Sequence, residues 1–345
     1  MCNIAGYAGT RPAAPVLIDM LRREEGWNAG FYTGIATIHE GKIHYAKLTG
    51  DLDHLLSGTD AANLPGTIGV IHSRTASGGG DEWSHPFIGE VNGEEILAYV
   101  ANGSRGCFTP RAAEATALAG KLEAAGYAFR SRENNPVGLY PALPDGGAAH
   151  MSDVMAQLIA RNIVRGQNPS SAMDAAFCEM PSEIVGLMLS LAEPDCIQWS
   201  RINMPMFVGF SGHGTYLAST PQAFPSDAGE PTLLPALSGG RIYPGRFTAA
   251  PYKTPPGTVA PITPRILCKA YALIESALKE GPRTMPQLNA LVRPRFEAAD
   301  CVPSAALVYS ILNDLERENR LIITKENRPG MHEGLTAPLF RAHLK

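Results

Sequence analysis

Cysteine occupies the second position of the chain, directly behind Met1 and ahead of the small and apolar run Ile4-Ala5-Gly6-Tyr7-Ala8. A second residue this small permits removal of the initiator methionine, so Cys2 is expected to become the mature N-terminus. One residue then carries both a thiol and a free α-amine. With ordinary pKa values of ~8.5 and ~8, the amine can take the thiol's proton near neutral pH without a separate base. The run behind Cys2 predicts a buried strand, which would fix a nucleophile at a strand end. The plainer alternative is an incidental second-position cysteine, and later segments decide between the two.

A chain of 345 residues accommodates two domains, or one large domain with an appendage. With 45% hydrophobic residues, no apolar stretch reaches the ~20 residues a membrane span needs, and no signal-like N-terminus precedes the first strand. A cytoplasmic protein without membrane association is expected. The six cysteines are scattered, with no CxxC pair and no Cys/His cluster at ligand spacing. No metal site or cofactor is expected, and the thiols are read as reduced. Residues 1–250 hold 16 Lys/Arg against 24 Asp/Glu, whereas 265–345 hold 12 against 9. So mild a basic bias disfavours nucleic acid as a partner without excluding it at the tail.

Residues 14–23 have helical spacing. Residues 34–38 and 42–46 form a hairpin pattern about Glu40-Gly41. Strands are predicted at 67–71 and 95–100, and a helix over 111–125 that Gly126 caps. The Pro-, Gly- and Asn-rich stretch 131–151 reads as a long surface loop. Helices follow over 154–165 and 172–178, then strands at 184–191, 196–199, 206–210, 216–219 and near 241–243. Strands, then helices, then strands suit two sheets sandwiched between helices. Five prolines in residues 250–264 predict a semi-rigid linker. Beyond it come a helix over 265–279, a short helix capped by Thr284 and ending at Val292, a third helix over 304–317, and a two-stranded turn.

Three short segments accompany Cys2. One is His72-Ser73-Arg74-Thr75-Ala76-Ser77-Gly78, a strand ending in arginine and a small loop. The others are Ser84-His85-Pro86 and Ala101-Asn102-Gly103-Ser104. Singly they read as a surface charge and two turns. In this order, behind a second-position cysteine, they resemble the class II glutamine amidotransferases, a family of N-terminal-nucleophile (Ntn) hydrolases. The segment Gly214–Ser219 is similar to that family's strand ending in Ala-Ser. The likeness covers roughly residues 2–250.

The resemblance implies an α+β fold: a four-layer αββα sandwich over 2–250, followed by the linker 251–264 and a small winged-helix-like domain over 265–345. It implies glutamine as substrate, with Cys2 as nucleophile and with Asn102 and the Gly103 N–H as the oxyanion donors. Arg74 would pair bidentately with the substrate carboxylate. Ala76, Ser77, His85 and Asp153 are the further substrate-binding candidates. Asp153 would take the place of the family's amine-binding aspartate after a shift of register, or is only a charge at a helix start. Asn3 departs from the family's glycine. Thr75 and Gly78 depart from its tryptophan and histidine, which puts gating of the ammonia path in question.

The tail is too short for a sugar isomerase, a phosphoribosyltransferase or a ligase, so the acceptor of ammonia is expected on another chain. As a DNA reader its third helix would expose Ser304, Asn313, Asp314, Glu316 and Arg317, which is not a basic face. A docking or dimerising module is the simpler reading, and a homo-oligomer stays open. Two other functions remain: a hydrolase of another γ-glutamyl amide, and a glutamine-sensing regulator acting through the tail.

Overall fold

The computed structural model describes residues 2–345 apart from Ser77, 104–108, 135–137 and Ser182, and only the backbone of Glu183. The first strand, β1 (Asn3–Gly9), is followed by α1 (Ala13–Glu24), the hairpin β2 (Tyr32–His39) and β3 (Lys42–Thr49), α2 (Leu52–Gly58) and β4 (Ile68–Arg74). Next come β5 (Phe87–Val91), β6 (Glu94–Gly103), α3 (Ala112–Ala124), α4 (Met151–Val164) and α5 (Pro169–Glu179). The strands resume with β7 (Glu183–Ser190), β8 (Ile197–Arg201), β9 (Phe207–Ser211) and β10 (Gly214–Ala218). Short strands β11 (Thr232–Leu233), β12 (Ser238–Tyr243), β13 (Arg246–Phe247) and β14 (Ala250–Pro251) complete the two sheets. The chain ends with α6 (Pro264–Lys279), α7 (Met285–Asp300), α8 (Ser304–Arg317) and the hairpin β15 (Leu321–Pro329) and β16 (Thr336–Leu344).

The first sheet has the order β11-β9-β10-β1-β4-β2-β3. The second has β13-β12-β8-β7-β6-β5, with β14 also on β12. Every pairing is antiparallel. Alternation along β1 sets the layers. Ile4 points between the sheets with Val70, Val100, Leu187 and Trp199, while Ala5 and Tyr7 point outward to Leu17 and Leu21 of α1. The outer face of the second sheet carries Tyr99 and Met188 against Val154 and Leu158 of α4 and Phe177 of α5. Glu40 and Gly41 both take positive φ, 47° and 71°, and make the tight turn of the β2–β3 hairpin.

Two helices depart from the sequence reading. The helix capped by Thr284 does not stop at Val292 but runs to Asp300, through Pro294. Its start is a capping box, Thr284 with Gln287. Ser304 of α8 is not exposed: it is 1% accessible, and Ala305 through Tyr309 are buried with it. A helix apolar all round its first two turns is a buried helix, and α8 lies under α6, α7 and the β15–β16 hairpin in one apolar cluster with α1 and β1. Trp27 joins them, edge-on to Tyr309 at 6.4 Å and to Phe340 at 5.6 Å between ring centroids.

The described residues of the stretch 131–151 form a loop, as its composition predicts, exposed at Arg132, Asn134, Leu139, Pro144 and Asp145 but anchored inward elsewhere. Leu143, Ala148, Ala149 and His150 are buried, and Glu133 and Ala142 bridge to Ala148. Its aromatic and apolar anchors carry no period that a sequence scan detects. Among the described residues, no helix is long and apolar enough to cross a membrane, and no three His, Cys, Asp or Glu side chains group as metal ligands.

Candidate active site

Cys2 leads directly into β1, the central strand flanked by β10 and β4. Asn3 pairs with Ser73, which places Cys2 alongside Arg74 and the loop that follows it. The Thr75 N–H donates to Cys2 Sγ at 3.5 Å, and the Thr75 hydroxyl lies 3.8 Å from the same sulfur. From the second sheet, Asn102 Nδ2 donates to the Cys2 carbonyl at 2.9 Å. Asn102 sits where the β6–β7 register shifts, between Asn102 and Gly103. Such a bulge redirects a side chain from its regular alternation. Gly103, the next residue, is exposed at the strand end.

Arg74 ends β4 and is almost wholly buried. Its guanidinium stands 4.8 Å from the Tyr32 ring centroid and 5.7 Å from that of Trp83. Nη1 donates to the Trp83 carbonyl at 2.9 Å, and Nη2 to the Tyr140 hydroxyl at 3.2 Å. Tyr140 and Trp83 meet edge to face at 4.5 Å. The aromatic cover at this site therefore comes from Tyr32, Trp83 and Tyr140 of the 131–151 loop, not from position 75.

His85, beside the cis His85–Pro86 bond, stacks on His72 at 3.8 Å and lies 5.8 Å from His150. His72 donates through Nε2 to the Ala101 carbonyl at 3.1 Å. His150 caps α4 by accepting the Ser152 N–H on Nδ1. Burial pushes His72 down to about 3 and holds His85 and His150 well below the ordinary imidazole range. All three are neutral at physiological pH, next to the fixed charge of Arg74.

Asp153, in the first turn of α4, accepts the Ser131 N–H at 2.9 Å and hydroxyl at 2.8 Å on one oxygen, and Gln157 at 3.3 Å on the other. Burial raises its pKa despite these bonds. In this structure its carboxylate ties Ser131 to α4. Ala76 is exposed in the loop after Arg74. Ser77, Ser104 and Met1 lie outside the described residues.

Behind Arg74, Glu25 accepts from Ser73 at 2.7 Å, from Thr33 at 3.1 Å and from the Leu52 N–H at 3.0 Å. Burial pushes this carboxyl up to about 8. The native state thus holds the proton more tightly than the unfolded chain, so stability falls as pH rises from about 4.5 to about 8 and levels off above. Glu25→Gln removes that titration. The melting temperature of the wild type is expected to decline across this window more steeply than that of the variant, and parallel curves would refute the assignment.

The sequence reading placed Cys2, Arg74, Asn102 and Gly103 in three separate segments, and the sheets bring Cys2, Arg74 and Asn102 to one end of β1. It missed Trp83, Tyr140, His150 and Glu25. No local pattern marks them, because each reaches the site through the fold.

Among solved structures, the chain is similar to glutamine phosphoribosylpyrophosphate amidotransferase from B. subtilis complexed with ADP and GMP. The TM-score is 0.57 at 15% identity, over 94% of this chain and 66% of that one. The structure described as the allosteric regulatory enzyme of purine biosynthesis matches with TM-score 0.55 at 17% identity, over 73% of this chain and 49% of that one. At these identities the likeness is one of fold. Relatives and structural neighbours together support a class II glutamine amidotransferase domain of the Ntn-hydrolase type. The chain's curated relatives include glutamine–fructose-6-phosphate aminotransferase (isomerizing) of Pyrococcus horikoshii, 28% identical over 228 residues, which are 65% of this chain and 33% of the relative. The enzyme of the same name from Mesorhizobium japonicum is 27% identical over 223 residues, 64% of this chain and 32% of the relative. The match spans about a third of the length of these relatives. No family model matches the chain.

Proposed function

We propose that the chain is a glutaminase subunit that hydrolyses the side-chain amide of glutamine and supplies ammonia to an acceptor on another chain. The reading is carried by the convergence at Cys2, where Thr75, just beyond β4 of one sheet, contacts the sulfur and Asn102 from the other sheet holds the carbonyl. With Met1 removed, the Cys2 α-amine accepts the thiol proton as sulfur attacks the γ-carboxamide carbon. The amine then passes that proton to the departing nitrogen, which leaves as ammonia. Water attacks the resulting γ-glutamyl thioester, releasing glutamate and restoring the thiol. Asn102 and the Gly103 N–H hold the oxyanion, and Arg74 holds the α-carboxylate. Ala76 and His85 are the further candidates on the carboxylate side, as is Ser77, which lies outside the described residues, and Asp153 holds Ser131 at the start of α4.

The test is release of glutamate and ammonia in equal amounts from glutamine by the purified protein. Treatment with 6-diazo-5-oxo-norleucine should add one label, at Cys2, to a chain lacking Met1. A mature protein that keeps Met1 would sink the mechanism.

The Tyr140 hydroxyl takes up one edge of the Arg74 fork, where a carboxylate oxygen would dock. Tyr140→Phe is therefore expected to lower KM for glutamine about tenfold, the low end of the worth of a hydrogen bond to a charged group, with kcat little changed. A higher KM would show instead that the hydroxyl helps to bind substrate.

For the tail we propose a winged-helix-like module over 265–345, beyond a linker at 251–264, that serves as a docking surface for the acceptor chain. Burial of α8 supports this over DNA binding, since the helix that would enter a groove is covered.

A further inference from the structure

Arg328 lies on β15, opposite Ala337 of β16 in the register of the terminal hairpin. Among the described residues it forms no ion pair, and burial lowers its pKa. Its guanidinium instead serves residues 29–32, where the chain enters β2. Nη2 donates to the Ala29 carbonyl at 3.0 Å, and the planar group stands 4.6 Å from the Phe31 ring centroid. Next to it, Ala337 and Met331 pack on Phe31 and Tyr32. Gly30 admits this close approach: a Cβ there would stand 2.6 Å from Pro338 Cδ, and its φ of 96° also favours glycine.

The same four residues are bonded on their other side to the strand that carries Arg74. The Gly30 N–H donates to the Ser73 hydroxyl at 2.8 Å, and the Phe31 N–H to the Arg74 carbonyl at 3.2 Å. Tyr32 pairs with Arg74 across β2 and β4, and its buried ring lies 4.8 Å from the guanidinium. Residues 29–32 are thus held between the arginine of the site and the arginine of the hairpin. An apolar side chain over Phe31 would serve packing alone, whereas a guanidinium that also reaches a main-chain carbonyl fixes direction as well as distance. We infer that Arg328 is a positioning residue for glutamine binding, fixing Ala29 and Phe31 and through them the Tyr32 ring against which the Arg74 fork is set. This role rests on the proposed glutaminase reaction, in which Arg74 holds the α-carboxylate. It brings the terminal hairpin into the substrate site.

The test is Arg328→Met in the full chain, which keeps an unbranched side chain over Phe31 and loses the bond to Ala29. KM for glutamine should rise about fivefold with kcat within twofold of wild type, the pattern of weakened binding common to ground and transition states. Arg328→Lys keeps a donor for the carbonyl but not the planar stack, and should recover part of the loss. In a Tyr32→Leu background, where the ring next to Arg74 is gone, Arg328→Met should raise KM no further. A residue that only ties the hairpin down would lower the melting temperature and leave KM unchanged well below it. That result would overturn the role, as would an equal rise in KM with and without Tyr32, and either would leave the glutaminase reading standing. A wild-type chain that turns over no glutamine would remove that reading, and this role with it.

Discussion

Cys2→Ala is expected to abolish ammonia release from glutamine, with a loss of about 10⁴-fold or more in kcat, the scale on which hydrolases fail when their nucleophile is removed. The thiol is the atom that bonds to the γ-carbon, and its base is part of the same residue, so no neighbouring side chain takes over. Glutamine binding should survive, because Arg74 and its aromatic surround lie on β4, residue 83 and the 131–151 loop rather than on Cys2. Saturating glutamine should therefore raise the melting temperature of the variant as it does that of the wild type, corresponding to about 2.7 kcal/mol at a hundred times Kd. Trp83, whose carbonyl Arg74 contacts, offers a fluorescence signal for the same event. A variant retaining more than a few per cent of activity would place the chemistry elsewhere. A variant that no longer responds to glutamine would instead make Cys2 part of the binding surface.

Much of this site was legible in the sequence because its key residues sit in short segments whose residue types are set by local chemistry. A small-residue strand behind Cys2, an arginine ending the neighbouring strand and an Asn-Gly at a third strand end signal little singly, but their order behind a second-position cysteine does. The two-sheet sandwich follows from the alternation and spacing of the strands. What escaped notice depends on contacts between distant parts of the chain. Tyr140 reaches Arg74 across 66 residues from a loop whose composition gives only turns. Ser304 was misjudged because a serine at a helix start is usually a solvated cap. Here its hydroxyl is drawn inward to Asn289 at 2.9 Å and to Glu297.

Asn102→Ala should reduce kcat by about 10²–10³-fold with a smaller effect on KM, the cost of losing one preorganised oxyanion donor. An asparagine amide nitrogen carries two donors. One is engaged by the Cys2 carbonyl at 2.9 Å, which leaves the second for an oxygen becoming negative next to the sulfur. The bulge at Asn102 and Gly103 sets side chain and backbone N–H at the same strand end, where both can act. Asn102→Asp keeps the shape but sets a carboxylate against the developing charge, and should be slower still. Because Asn102 also holds the Cys2 carbonyl, its loss could act through displacement of the nucleophile. Alkylation of Cys2 by iodoacetamide separates the two effects, since displacement at a saturated carbon develops no oxyanion. An unchanged alkylation rate alongside the collapse in glutamine turnover assigns Asn102 to the transition state. A parallel fall in both rates would reduce it to a residue that keeps Cys2 in place.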